Sequence, residues 1–188
     1  EHGLEIGTIP SPNYHVQTSI ANQVNLVNTA GLTLNFWDGA GGAENDGVIA
    51  GGDGLWQNST GNDNWTTSDG TPNAPFSDAA FAAFTGAPGT VRVDGSLGTV
   101  NASGMQFATG GYVVQGDAIN LVGGTSTIRV GDGTEAGASM TTTINSVLGG
   151  ASALAKSDLG TLVLGAANTY GGGTLVNGGV LQVGSDAN

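Results

Sequence analysis

The sequence predicts an all-β fold, a parallel β-helix in which short strands stack coil upon coil, and three observations predict it. Towards the C-terminal end, apolar residues fall in alternating pairs, Leu162/Leu164, Thr174/Val176 and Leu181/Val183, the period of strands with one buried face. Between the pairs lie corner residues: Gly165, Asn168, Gly171 to Gly173 and Asn177-Gly178-Gly179. Strands this short bury two or three side chains each, so they need neighbours stacked above and below. Upstream, the alternation recurs, with pairs ending at Val183, Leu164, Val147, Val130, Tyr112 and Val93, in steps of 19, 17, 17, 18 and 19 residues. A step near twenty carrying several short strands is what one coil of a β-solenoid requires.

In chain order, residues 1–15 hold both histidines, His2 and His15, with Pro10 and Pro12. They read as an entry segment or cap, which a solenoid needs over its exposed end. Residues 16–36 read as the first coil, with Val24/Leu26 and Leu32/Leu34/Phe36 as strands and a turn over Asn28 to Gly31. Residues 37–89 break the rhythm with Gly/Asn/Asp clusters and all three tryptophans. A loop that long without structure is uncommon, so Trp56 and Trp65, across a Gly/Asn turn, suggest an inserted hairpin on the flank of the stack. Phe76, Ala80 and Phe84 are spaced for a helical turn, while Phe81/Ala83 alternates as a strand; both readings stay open. Residues 90–188 resume the coils through Val91/Val93, Met105/Phe107, Tyr112/Val114, Ile119/Leu121, Ile128/Val130 and Thr142/Ile144. Gln106, Gln115, Asn120 and Arg129 fall on outward positions, and Arg92 and Arg129 are expected to meet carboxylates on adjacent coils.

Composition narrows the function. The 188 residues include 35 glycines, far above the usual share of roughly 7%, without a Gly-x-y period, which excludes collagen and points to corners. Hydrophobic residues make up 38% and charged ones 10%, so disorder driven by charge is not expected. Three basic residues, Arg92, Arg129 and Lys156, stand against fifteen acids, a net charge of −12. Nucleic acid is excluded as a partner, since phosphate binding rests on Lys/Arg clusters. No apolar run approaches the roughly twenty residues that span a bilayer, so no membrane insertion by this chain is expected. There is no cysteine, which suits the cytosol as well as a chain crossing an oxidising compartment unfolded.

Catalytic chemistry finds little support. A nucleophile needs a neighbouring base, yet both histidines lie in the first fifteen residues and no G-x-S-x-G is present. No catalytic residue and no cofactor is predicted. Carboxylate pairs such as Asp94 with Asp117 or Asp132 could serve a glycosidase, but most aspartates precede glycine, as in Asp94-Gly95 and Asp132-Gly133, the composition of a turn. Residues 38–78 carry seven acids and no base. Gly51-Gly52-Asp53-Gly54 begins like a calcium-binding nonapeptide, but Trp56 takes the Asp position and the unit does not recur, so no metal is predicted. Trp37, Trp56 and Trp65 are the candidate ligand-binding residues, as a sugar platform or protein contact; the competing reading is that they anchor the insertion by burial.

The run from Gly160 to Gly184 resembles the autotransporter-associated β-strand repeat of passenger regions in type V secretion. Gly160, Thr161, Leu162, Leu164, Asn168, Thr169, Tyr170, Gly172, Gly173, Thr174, Val176, Gly179, Leu181 and Val183 match it. Asp158-Leu159 replaces a Gly-x pair, and Gly171 stands where threonine is common. The motif spans residues 154–184. The resemblance implies a right-handed β-helix outside the outer membrane of a Gram-negative cell, cut from a longer precursor with a signal peptide and a C-terminal β-barrel as its own partner. It also implies adhesion or host interaction, with a host surface protein or glycan as partner and residues 37–89 as the contact. A polysaccharide-active enzyme on the same fold and a purely structural stalk are the alternatives. Local stacking suggests a folding nucleus of Leu162, Leu164, Leu181 and Val183.

Overall fold

The computed structural model describes residues 8, 11–39 and 42–184. Its regular structure is strand throughout, apart from one 3₁₀ turn at Glu135–Ser139. Apolar alternation over three or four residues, cut by glycine, leaves no run long enough for a helix, and each strand obtains its backbone partners from the coil before and the coil after.

Two long sheets and a short one carry the stack. The six-stranded sheet runs from Gly54–Trp56 through Thr90–Val93, Val113–Gly116, Thr141–Ile144 and Thr161–Leu164 to Val180–Val183, all parallel. The seven-stranded sheet runs from Trp65–Thr66 and Phe36–Trp37 through Phe81–Phe84, Gly104–Phe107, Thr125–Val130 and Ala153–Ser157 to Thr174–Val176. The short sheet holds Val100–Ala102, Ile119–Leu121 and Leu148–Gly149. Between residues 90 and 157 the chain visits the six-stranded, short and seven-stranded sheets in turn, then returns to the first in parallel. That order is consistent with a solenoid.

The regular step of 17 to 19 residues is corrected by the register. Val183, Leu164, Ile144, Val114, Val91 and Gly54 stack as Cα partners, in steps of 19, 20, 30, 23 and 37 residues. The expected anchors belong to different sheets: Val130 lies in the seven-stranded sheet, and Val147 lies just before Leu148–Gly149 of the short one. Strands of all three sheets share the period-2 pattern, as in Thr90–Val93, Ile119–Leu121 and Thr125–Val130, so the apolar pairs themselves do not say which sheet each belongs to.

The pairs do point inwards. Val91, Val93, Met105, Phe107, Tyr112, Val114, Ile119, Leu121, Ile128, Val130, Ile144, Leu162 and Leu164 all lie within one continuous core. On the seven-stranded sheet, Phe84 lies in register with Phe107, their rings stacked 4.7 Å apart at 9°. On the short sheet, Asn120 lies in register over Asn101 and its Nδ2 donates to Asn101 Oδ1 at 2.8 Å. Like residues stack because register repeats along the axis.

The N-terminal third departs from expectation. Tyr14–Gln17 and Asn25–Asn28 form an antiparallel hairpin outside the parallel sheets, so residues 16–36 do not make a first coil. Val24 and Leu26 are exposed there. The predicted hairpin between Trp56 and Trp65 does not form either. Gly54–Trp56 starts the six-stranded sheet, whereas Trp65–Thr66 pairs antiparallel with Phe36–Trp37 at the edge of the other. Of the two readings of Phe76 to Phe84, the strand is realised, as Phe81–Phe84. Residues 37–89 therefore supply strands to the stack as well as loops around it. Of the entry segment, His2, Leu4, Ile6 and Pro10 lie outside the described residues.

Candidate functional site

The three tryptophans are fully buried. Trp37 meets Trp65 edge-on at 5.1 Å, Trp56 lies 5.1 Å from Trp65, and Phe76 lies 4.5 Å from Trp65 and 5.2 Å from Trp56. Edge-to-face contacts of this kind suit the ring quadrupoles. Trp37 Nε1 donates to Gly52 O at 2.8 Å, while the indole N–H groups of Trp56 and Trp65 find no acceptor. With no face in solvent, these rings offer no sugar platform in this structure; they anchor the end of the core.

The surface around them is more open. Two adjoining cavities of about 450 and 550 Å³ lie between the hairpin and the loops near residues 59–63 and 73–78, and both are lined by Tyr14, His15, Thr60 and Pro75. Below them sits a polar network that joins distant segments. The buried carboxylate of Asp38 accepts from Ala50 N and Asn73 Nδ2, both at 2.8 Å. Asn45 and Asn73 each accept the other's backbone N–H, at 2.6 and 2.8 Å. The buried Gln17 accepts from Asn45 Nδ2 at 2.6 Å and donates to Glu44 Oε2 at 3.0 Å. No sequence signal points to this network, since its side-chain pairings join polar residues 27 to 35 positions apart.

The candidate catalytic aspartates are tied to turns. Asp94 accepts from Ser96 N at 3.0 Å and from Gln57 Nε2 at 2.7 Å; Asp132 accepts from Thr134 N at 2.9 Å; Asp117 accepts from Gly95 N at 2.8 Å. The backbone bond from Ser96 holds the Asp94 carboxyl below its ordinary range, and that from Thr134 does the same for Asp132. A general acid needs the opposite shift. Among the described residues, no three His, Asp or Glu side chains converge as metal ligands.

At the other end, the repeat residues are mainly corners and stitches. Asn168 Oδ1 accepts from Leu148 N at 2.8 Å, and Thr169 N donates to Leu148 O at 2.8 Å. This pair continues the short sheet where no further strand is formed. Tyr170 and Thr174 share a hydroxyl contact of 2.8 Å. Gly160 and Gly172 lie where a Cβ would strike the neighbouring coil, and Gly173 and Gly179 take φ of +84° and +64°, values that favour glycine. Thr161 pairs with Thr141 on one side and Val180 on the other. Of the nucleus residues, Leu162 and Leu164 are in the core, Leu181 packs against it, and Val183 is 53% exposed on the last strand.

Of the two arginines expected to meet carboxylates on adjacent coils, Arg92 forms no such ion pair among the described residues, whereas Arg129 does, its Nε 2.7 Å from Asp158 Oδ2. Beside it, Lys156 occupies an inward column between Ile128 and Val176, fully buried. Its Nζ donates to the carbonyls of Ser157, Asp158 and Gly178 at 2.7, 2.9 and 3.1 Å. Burial lowers its pKa. A lysine in a core column had no signature in the sequence, where it sits among alternating apolar residues like any outward one.

Residues 154–183 match the passenger-associated-transport-repeat family. Over 186 residues, 95% of its length, the chain is 56% identical to the adhesin BmaC autotransporter of Brucella suis biovar 1 (strain 1330), of which it spans 5%. No solved structure matches. With the repeat at its C-terminal end, parallel coils above it and this likeness along nearly its whole length, the chain belongs to the autotransporter passengers, the part of such proteins exported to the cell surface.

Proposed function

We propose that the chain is a non-enzymatic segment of an adhesive passenger, a right-handed parallel β-helix whose coils support export and whose N-terminal loops make contact with a host surface protein or glycan. The observation that carries this reading is the 56% identity to an adhesin autotransporter. The turn-bound aspartates support the non-enzymatic part, because each carboxylate is engaged by backbone N–H groups. As only 5% of that relative is spanned, adhesion by this segment is a proposal in its own right. Export is supported by local stacking: a chain emerging unfolded can add each coil to the last, without long loop closure. The C-terminal barrel of the precursor is the partner this export scheme requires.

The contact is assigned to the loops at 42–47 and 57–63, which lie beside the N-terminal hairpin and reach its Ser19 through Glu44 and Asp63. Deleting residues 38–88 would remove core strands, so the test uses surface variants. The folded chain is assayed against extracellular-matrix proteins and a glycan panel, beside a Thr60→Arg/Asn62→Arg variant with an unchanged circular dichroism spectrum. Binding by the parent that falls at least tenfold in the variant supports the loop contact. Binding that is unchanged moves the contact elsewhere, and no binding by the parent favours the structural stalk.

A further inference from the structure

Ser19 lies in the bend of the N-terminal hairpin, and its Oγ sits 2.5 Å from Glu44 Oε2 and 2.6 Å from Asp63 Oδ2. A serine hydroxyl carries one proton and can donate to one carboxylate. The second short contact needs another proton, on a carboxylic acid that donates to Ser19 Oγ. Among the described residues, the hydrogen bonds joining the hairpin to the surrounding loops run through Ser19 and Gln17, and both reach Glu44.

We propose that Glu44, Ser19 and Asp63 form a proton-dependent latch, in which protonated Glu44 donates to Ser19, Ser19 donates to Asp63, and loss of that proton releases the hairpin from the loops at 42–47 and 57–63. The charged surroundings agree. Burial is the largest cause that pushes the pKa of Glu44 up to about 7; the Ser19 hydrogen bond works against the rise, and Asp63 on one loop and Asp38 behind it add to it. Asp46 lies two residues along the same loop. His15, on the hairpin and lining the same cavity as Asp63, has its pKa lowered by burial. The sign follows from linkage. A carboxyl raised in the latched state holds its proton between its ordinary value and about 7, so latching is strongest in acid and weakens as pH rises through that window. The two cavities beside Tyr14 and His15 lie between hairpin and loops, so release would open the face assigned to adhesion.

The chain has no cysteine, so dyes on Ala21→Cys, at the exposed hairpin tip, and Ser139→Cys, exposed on a distant turn, would report the latch by energy transfer. Between pH 5 and 8 the open fraction should rise about tenfold or more. Glu44→Gln, which keeps a neutral donor in place, should hold the closed distance to pH 8. A pH-independent parent overturns the latch. So does a response that persists in Glu44→Gln, which would assign it to His15. Asp63→Asn gives a second arm: removing the repulsion should move the midpoint towards the ordinary carboxyl range, and an unmoved midpoint also overturns the proposal.

Discussion

At the scale of single residues, charge is placed where a coil needs stitching. Asp158 takes φ of +66°, uncommon for a non-glycine residue, and holds Arg129 Nε at 2.7 Å, Leu159 N at 2.7 Å and Gly133 N at 3.1 Å. The Arg129 bond is the chief cause of its lowered pKa. A carboxyl depressed in the folded state stabilises above its unfolded value, and that contribution disappears as pH falls through the folded value. Thermal unfolding of Arg129→Gln and the parent should therefore differ above about pH 4, near the ordinary Asp value, and converge below it. A constant difference at every pH would mean that Arg129 acts by packing alone. Lys156, two residues before Asp158, serves the same corner from inside by donating to three carbonyls.

At the scale of elements, the N-terminal edge of the stack is closed by aromatic mass and an antiparallel strand. Trp65–Thr66 turns against Phe36–Trp37 and ends the seven-stranded sheet, which removes a parallel edge where another chain could add. Behind it, Trp65 touches Trp37, Trp56, Phe76 and Phe84. Truncation of Trp65 to Ala should cost about 3–5 kcal/mol by urea unfolding. Trp65→Phe should cost clearly less, since it retains a ring and removes an indole N–H that has no acceptor. Equal losses for both variants would show that the ring contacts contribute little beyond shape. Towards the C-terminal end, Leu175, Val176, Val180 and Val183 are each about half exposed on the last described strands.

At the scale of the molecule, one core runs from Val27 to Leu164, and stability is shared between neighbouring coils. The proposed nucleus can be tested along this gradient. Leu162→Ala should cost about 2–5 kcal/mol and slow refolding, whereas Val183→Ser, on the exposed strand, should cost under about 1 kcal/mol. If Leu162→Ala sped unfolding and left refolding unchanged, coils would not start from this end. Coil lengths vary from 19 to 37 residues, the longest steps being the 37 from Gly54 to Val91 and the 30 from Val114 to Ile144.

The sequence by itself determined the all-β class, the inward pairs Val91/Val93, Met105/Phe107, Ile119/Leu121, Ile128/Val130 and Leu162/Leu164, and the repeat at the C-terminal end, but not the strands Val100–Ala102 and Ala153–Ser157. These are local properties: alternation sets the buried face, and glycine or asparagine sets each corner. Three matters were decided only by tertiary structure. The register of the coils depends on which of three sheets receives each strand, and identical alternation in all of them conceals it. The fate of the tryptophans depends on what surrounds them, so a ring that could face a ligand instead fills the core. The network of Gln17, Glu44, Asn45, Asp63 and Asn73 joins polar residues far apart in the chain, and only folding brings their hydrogen-bonding groups within reach.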